Sequence, residues 1–73
     1  MLVKMDSGEL RRLRRAKGLT QEQLAEKAGL SDRYVRSLET RAVRASIEAL
    51  YNLSAALEAP MESLVAVYPE PEE

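Results

Sequence analysis

A chain of 73 residues allows one small domain, and a core of that size gives only marginal stability. It has no cysteine and no histidine, which excludes disulfides, thiolate metal sites and the side chain most used for acid–base chemistry near pH 7. The net charge of −1 conceals a division: residues 1–44 hold all eleven Lys and Arg against six acids, whereas residues 45–73 hold six acids and no base. One end therefore attracts polyanions and the other repels them.

In chain order the spacing predicts five short helices, with no strand-like alternation of any length. Residues 1–6 form a lead in which Met1, Leu2, Val3 and Met5 are apolar. Its fate is open between packing on the last helix, joining a dimer contact and fraying. The first helix starts after Asp6 or Ser7 and runs to Lys17, with Leu10, Leu13 and Ala16 or Lys17 inward and Gly18 just beyond its end. Arg11, Arg12 and Arg15 are then expected to face water.

The second helix, about residues 20–28, opens with Thr20-x-x-Gln23, the spacing of a reciprocal capping box. Leu24, Ala25 and Ala28 form its inner face, and Gly29 ends it. Ser31 caps a third helix, about residues 31–40, after so short a link that the two must cross at a large angle. There Val35 and Leu38 point inward, and at about 100° per residue Arg33, Arg36, Ser37 and Thr40 project from the opposite side.

Ser46 caps a fourth helix, with Ile47, Leu50, Tyr51, Leu53 and Leu57 expected inward. Pro60 suits the first turn of a fifth, whose core face is Met61, Leu64 and Val65. The folded domain is placed at residues 7–68, and the acidic tail 69–73, PEPEE, is expected to be disordered.

Several strings, in order and correctly spaced, carry a resemblance to a known family. They are "LRRLRRAKGLTQEQLAEKAGLS", "VRSLE" and "SIEALYNLSAAL". Over roughly residues 7–66 the chain resembles the Cro/lambda-repressor type of helix-turn-helix domain, the XRE family. The resemblance implies an all-α, five-helix, lambda-repressor-like DNA-binding fold. Three positions depart from it: Arg41 and Glu58 stand where glycine is usual, and Ala45 where proline is usual. Arg41 would be strained if it had to adopt a left-handed conformation. Glu58 suggests that the fourth helix ends differently or runs on slightly.

The resemblance also implies a docking mode, with the third helix in the major groove and the second crossing the backbone. Arg33 suits bidentate contact with guanine, Asp32 can accept from cytosine or orient Arg33, and Ser37 lies one turn further on. Gln21, Arg36, Arg41 and Arg44 are the expected phosphate contacts, and Tyr34, at the border of the exposed face, is open between a phosphate contact and a half-buried packing role. The same resemblance makes Arg14 and Glu39 a structural ion pair tying the first helix to the end of the third.

One recognition helix reads only a few base pairs, so a homodimer on a two-fold site of double-stranded DNA is expected. Met61, Val67 and Tyr68 on the acidic half are candidates for its surface. The reading is thus a dimeric repressor of transcription, of prokaryotic or phage type, and the alternative is an antitoxin or other helical interaction module. An enzyme is not expected, since there is no His, no Cys, no glycine-rich phosphate loop and no carboxylate cluster on one face. No cofactor, metal, small-molecule ligand or further sensing domain is expected. No apolar run approaches the roughly 18 residues of a membrane span, and no signal-peptide core is present, so the expected location is the cytoplasm.

Overall fold

The computed structural model describes residues 2–41 and 44–66. It runs β1 (Leu2–Lys4), α1 (Ser7–Ala16), α2 (Gln21–Ala28), α3 (Asp32–Thr40), β2 (Arg44–Ser46), α4 (Ile47–Leu57) and a short 3-10 turn, Met61–Leu64. Four α-helices and a two-stranded sheet therefore replace the five helices expected.

The helix starts follow local chemistry. The Asp6 carboxylate accepts from the Glu9 N–H, and the Ser31 and Ser46 hydroxyls accept from the N–H groups of Tyr34 and Ala49 at 3.1 and 3.0 Å. Thr20 and Gln23 form both halves of the capping box, at 2.9 and 3.0 Å. Gly29 ends α2 in the left-handed conformation, φ 69°, which lets the chain turn within three residues into α3.

The missing fifth helix has a backbone explanation. Asp6 N–H donates to the Leu64 carbonyl and Ala66 N–H donates to the Lys4 carbonyl, both at 2.9 Å. These two bonds bracket an antiparallel bridge between Met5 and Val65, and they hold Val65 extended at φ −97°, ψ 128°. The 3-10 turn cannot propagate through a residue so held.

The lead packs into the body. β1 pairs antiparallel with β2, setting Leu2 opposite Ser46, Val3 opposite Ala45 and Lys4 opposite Arg44. Ala45 is fully buried, and Met5 joins Leu10, Leu24, Val35, Leu38, Leu53 and Leu64 in the core. Strands of three residues are too short to leave a period in the sequence, which is why neither was expected.

On α4 the buried side chains are Ala49, Leu50, Leu53, Ser54 and Leu57. Two of the residues expected inward are not: Ile47 is 40 % and Tyr51 62 % exposed. The buried positions span about 140° of arc at about 100° per residue, and Ile47 and Tyr51 fall outside it, on the rim. Ala16 and Lys17, candidates for the inner face of α1, are exposed.

Candidate nucleic-acid interface

The recognition-type helix is α3, and its buried side fixes its exposed one. Val35 and Leu38 are fully buried and Glu39 is 1 % exposed. Asp32, Arg33, Arg36, Ser37 and Thr40 then lie within about 140° of arc on the other side. Arg33, Arg36 and Thr40 are exposed, whereas Asp32 and Ser37 are half-buried. Asp32 and Thr40 are eight residues apart, about 12 Å along the axis, which is close to the width of a major groove.

Arg36 is not a free lever. Its guanidinium lies 3.7 Å from the Asp32 carboxylate, one turn back, and its Nε donates to the Gln21 side-chain oxygen at 3.4 Å. Gln21 in turn donates through Nε2 to Glu39 Oε1 at 3.2 Å. Only this orientation of the amide serves both neighbours, since the reverse would set an N–H group against a guanidinium and an oxygen against a carboxylate.

Glu39 also receives Arg14, through Nε to Oε2 at 2.6 Å and Nη2 to Oε1 at 3.0 Å. Arg14 Nη1 donates to the Leu19 carbonyl at 2.7 Å. A continuous chain of polar contacts thus runs from the interior at Arg14, through Glu39 and Gln21, to Arg36 and Asp32 on the surface.

The carbonyl end of α3 is closed by α1. Arg11 donates to the Glu39 carbonyl at 2.6 Å, and the Ser7 hydroxyl stands 2.6 Å from the Leu38 carbonyl and 2.7 Å from that of Arg41. One hydroxyl proton serves one of the two at a time. Arg11 was expected to face water. A signal was present, because Arg11 precedes Arg14 by three residues and so shares its helix face. Ser7 carried no such signal.

Among the other expected phosphate contacts, Gln21 and Tyr34 are half-buried, and Tyr34 packs against the core. Arg41 and Arg44 are exposed on either side of residues 42–43, Arg41 as the C-cap of α3 and Arg44 on β2. Met61 is half-buried, while Val67, Tyr68 and the tail 69–73 lie outside the described residues. Among the described residues no group of three acids or other ligands could hold a metal ion, and no helix is long and apolar enough to cross a membrane.

The helix-turn-helix family HTH_3 matches residues 10–64, most of the chain and every element just described from Leu10 onward. The chain belongs to this family, the XRE type. It is 41 % identical over 54 residues to the uncharacterized HTH-type transcriptional regulator y4dJ of Sinorhizobium fredii, a match covering 74 % of this chain and 70 % of that protein.

Among solved structures it is similar to the restriction-modification controller protein C.AhdI from Aeromonas hydrophila. That match has a TM-score of 0.74 and 37 % identity, over 78 % of this chain and 86 % of that one. It is also similar to SinR, a master regulator for biofilm formation whose structure is of a complex with DNA. There the TM-score is 0.73 and the identity 32 %, over 77 % and 90 % of the two chains. The family and fold are those of DNA-binding transcription regulators, which are not enzymes.

Within the XRE pattern the three departures now have physical accounts. Arg41 is extended, at φ −136°, so no glycine is needed there. Ala45 sits opposite Val3 in the sheet, where a proline would offer no N–H to the ladder. Glu58 adopts the left-handed conformation itself, φ 55°, so α4 ends at Leu57 and does not run on. Its carboxylate pairs with Lys17 at the end of α1, and the Lys17 ammonium, mainly by hydrogen bonding, holds that carboxyl below its ordinary pKa.

Proposed function

We propose that this regulator is a homodimeric repressor that reads a two-fold operator in double-stranded DNA by laying α3 in the major groove. The observation that carries the reading is the outward face of α3, where Arg33, exposed and without an ion pair among the described residues, stands beside the braced Arg36 on a helix anchored from beneath. A guanidinium at Arg33 fits guanine O6 and N7, Asp32 discriminates by accepting from cytosine N4, and Ser37 adds a short contact one turn on. Gln21, Tyr34, Arg36, Arg41 and Arg44 grip phosphates around this helix. That SinR, at 32 % identity, has been solved in complex with DNA supports a DNA-binding role for this fold here.

Pairing is needed because one helix reads too few base pairs for specificity. The exposed Ile47 and Tyr51 on α4 adjoin Met61 across a shallow groove. Together they supply an apolar surface in the acidic half of the sequence, and this patch extends the Met61 surface anticipated from sequence. A dimer seated across a promoter blocks the groove to other proteins, hence repression.

Competition between a selected duplex and random DNA at several salt concentrations tests the reading. Arg33→Ala is expected to cost roughly 1–3 kcal/mol on the selected site and much less on random DNA. Arg44→Ala is expected to weaken both alike and to lower the salt slope by about 0.9 per subunit. Identical behaviour of the two variants would remove α3 as the reading helix.

A further inference from the structure

We infer that Lys4 is a phosphate-contacting residue, and that β1 serves to hold it beside Arg44 as a two-cation clamp on the DNA backbone. This rests on the DNA-binding reading above. Lys4 and Arg44 are direct partners in the antiparallel pairing, so their side chains leave the same face of the sheet with Cβ atoms roughly 4.5–5.5 Å apart. Both are exposed, whereas the adjacent Val3–Ala45 pair turns inward.

Like charges set directly opposite each other destabilise a sheet. Here they occupy one of only three pairs. Among the described residues no carboxylate forms an ion pair with either.

Lysine on a strand often guards an open edge against unwanted pairing. That explanation fails for Lys4, whose strand has β2 on one side and the Ala66 N–H bonded to the Lys4 carbonyl on the other. What offsets the repulsion is an anion. Arg44 follows Arg41, the cap of α3, by three residues, so its Cα lies at most about 11 Å beyond the end of the reading helix. At that distance the polyanion entered by α3 is the available anion, and its backbone phosphates fit between two cations. The sheet carries Lys4, forty residues away in sequence, to the same place.

The test uses the full chain, with duplex affinity measured against salt for wild type, Lys4→Gln, Lys4→Arg and Arg44→Gln, and with melting measured without DNA. Lys4→Gln is expected to lower the salt slope by about 0.9 per subunit and the affinity roughly eightfold per subunit at 0.1 M salt, on selected and random duplexes alike. Lys4→Arg should retain both. Without DNA, Lys4→Gln should melt at or above the wild-type temperature in low salt, because the repulsion from Arg44 is gone.

An unchanged slope in Lys4→Gln alongside a reduced one in Arg44→Gln overturns the inference while leaving the DNA reading intact. A lowered melting temperature in Lys4→Gln also overturns it, by making Lys4 a folding residue. If wild type binds no duplex at low salt, it is the underlying DNA reading that fails.

Discussion

Arg14 and Glu39 are joined by two parallel hydrogen bonds, with Glu39 almost wholly enclosed and Arg14 only 11 % exposed. Such a pair adds little net stability over an apolar pair of the same volume, but breaking it leaves a charge buried without its partner. Glu39→Gln is therefore expected to cost about 3–5 kcal/mol in chemical denaturation. Replacing both residues, Arg14→Met with Glu39→Leu, should recover most of that loss. If Glu39→Gln kept full stability and lost only duplex affinity, Glu39 would act at the DNA rather than in the frame.

Met5 concerns the other end of the chain. Its side chain is 1 % exposed, and the backbone on either side of it bonds to Leu64 and Ala66. Met5→Ala is expected to cost about 2–5 kcal/mol. Hydrogen exchange should accelerate first at the Asp6 and Ala66 amides, since both bonds depend on the same bridge. Wild-type stability in this variant would show that the lead is dispensable.

Glu58 sets backbone strain against charge. A left-handed backbone is costly for any residue with a Cβ, and an ion pair with the exposed Lys17 offsets little of that cost. Glu58→Gly is thus expected to raise the melting temperature by a few degrees at neutral pH. The pH dependence has a definite sign. Lys17 depresses the carboxyl pKa in the folded state, so the contribution is fully present above the unfolded value and is lost as pH falls through the folded one. Glu58→Gln should flatten that acid limb of the melting profile, and a lower melting temperature for Glu58→Gly would mean that the ion pair outweighs the strain.

Tyr51 tests assembly. With 62 % of its surface exposed, it can be changed without touching the core. Tyr51→Glu is expected to shift sedimentation equilibrium toward monomer, leave the helical circular dichroism unchanged and weaken binding to a two-fold duplex far more than to random DNA. Association equal to wild type would exclude α4 from the interface.

The order of the first four helices, their capping residues and the outward face of α3 were legible because each depends on spacing within one turn. The sheet was not. Three-residue strands have no measurable period, and the pairing of Val3 with Ala45 joins positions forty-two apart. The interior of α4 was misread at Tyr51 and Ile47 for a related reason: periodicity marks an apolar arc, but the width of the arc that is buried depends on which helices lie beside it. The contacts radiating from Glu39 were legible only in part. Resemblance pointed to Arg14, while Gln21 and Arg11 reach Glu39 across the fold from other positions.

The closing of the carbonyl end of α3 by Ser7 and Arg11 bears on how such a protein changes its target over time. Both side chains grip main-chain oxygens, of Leu38 or Arg41 and of Glu39, which every amino acid supplies. Substitutions at Arg33, Ser37 or Thr40 therefore leave these anchors in place. Asp32 and Arg36 can change as a pair, since each braces the other. The outward face of α3, proposed above to meet DNA, is thereby freed to vary while the frame beneath it stays constant. Duplicated copies of such a gene can diverge in the sequences they recognise without first having to solve the folding problem again.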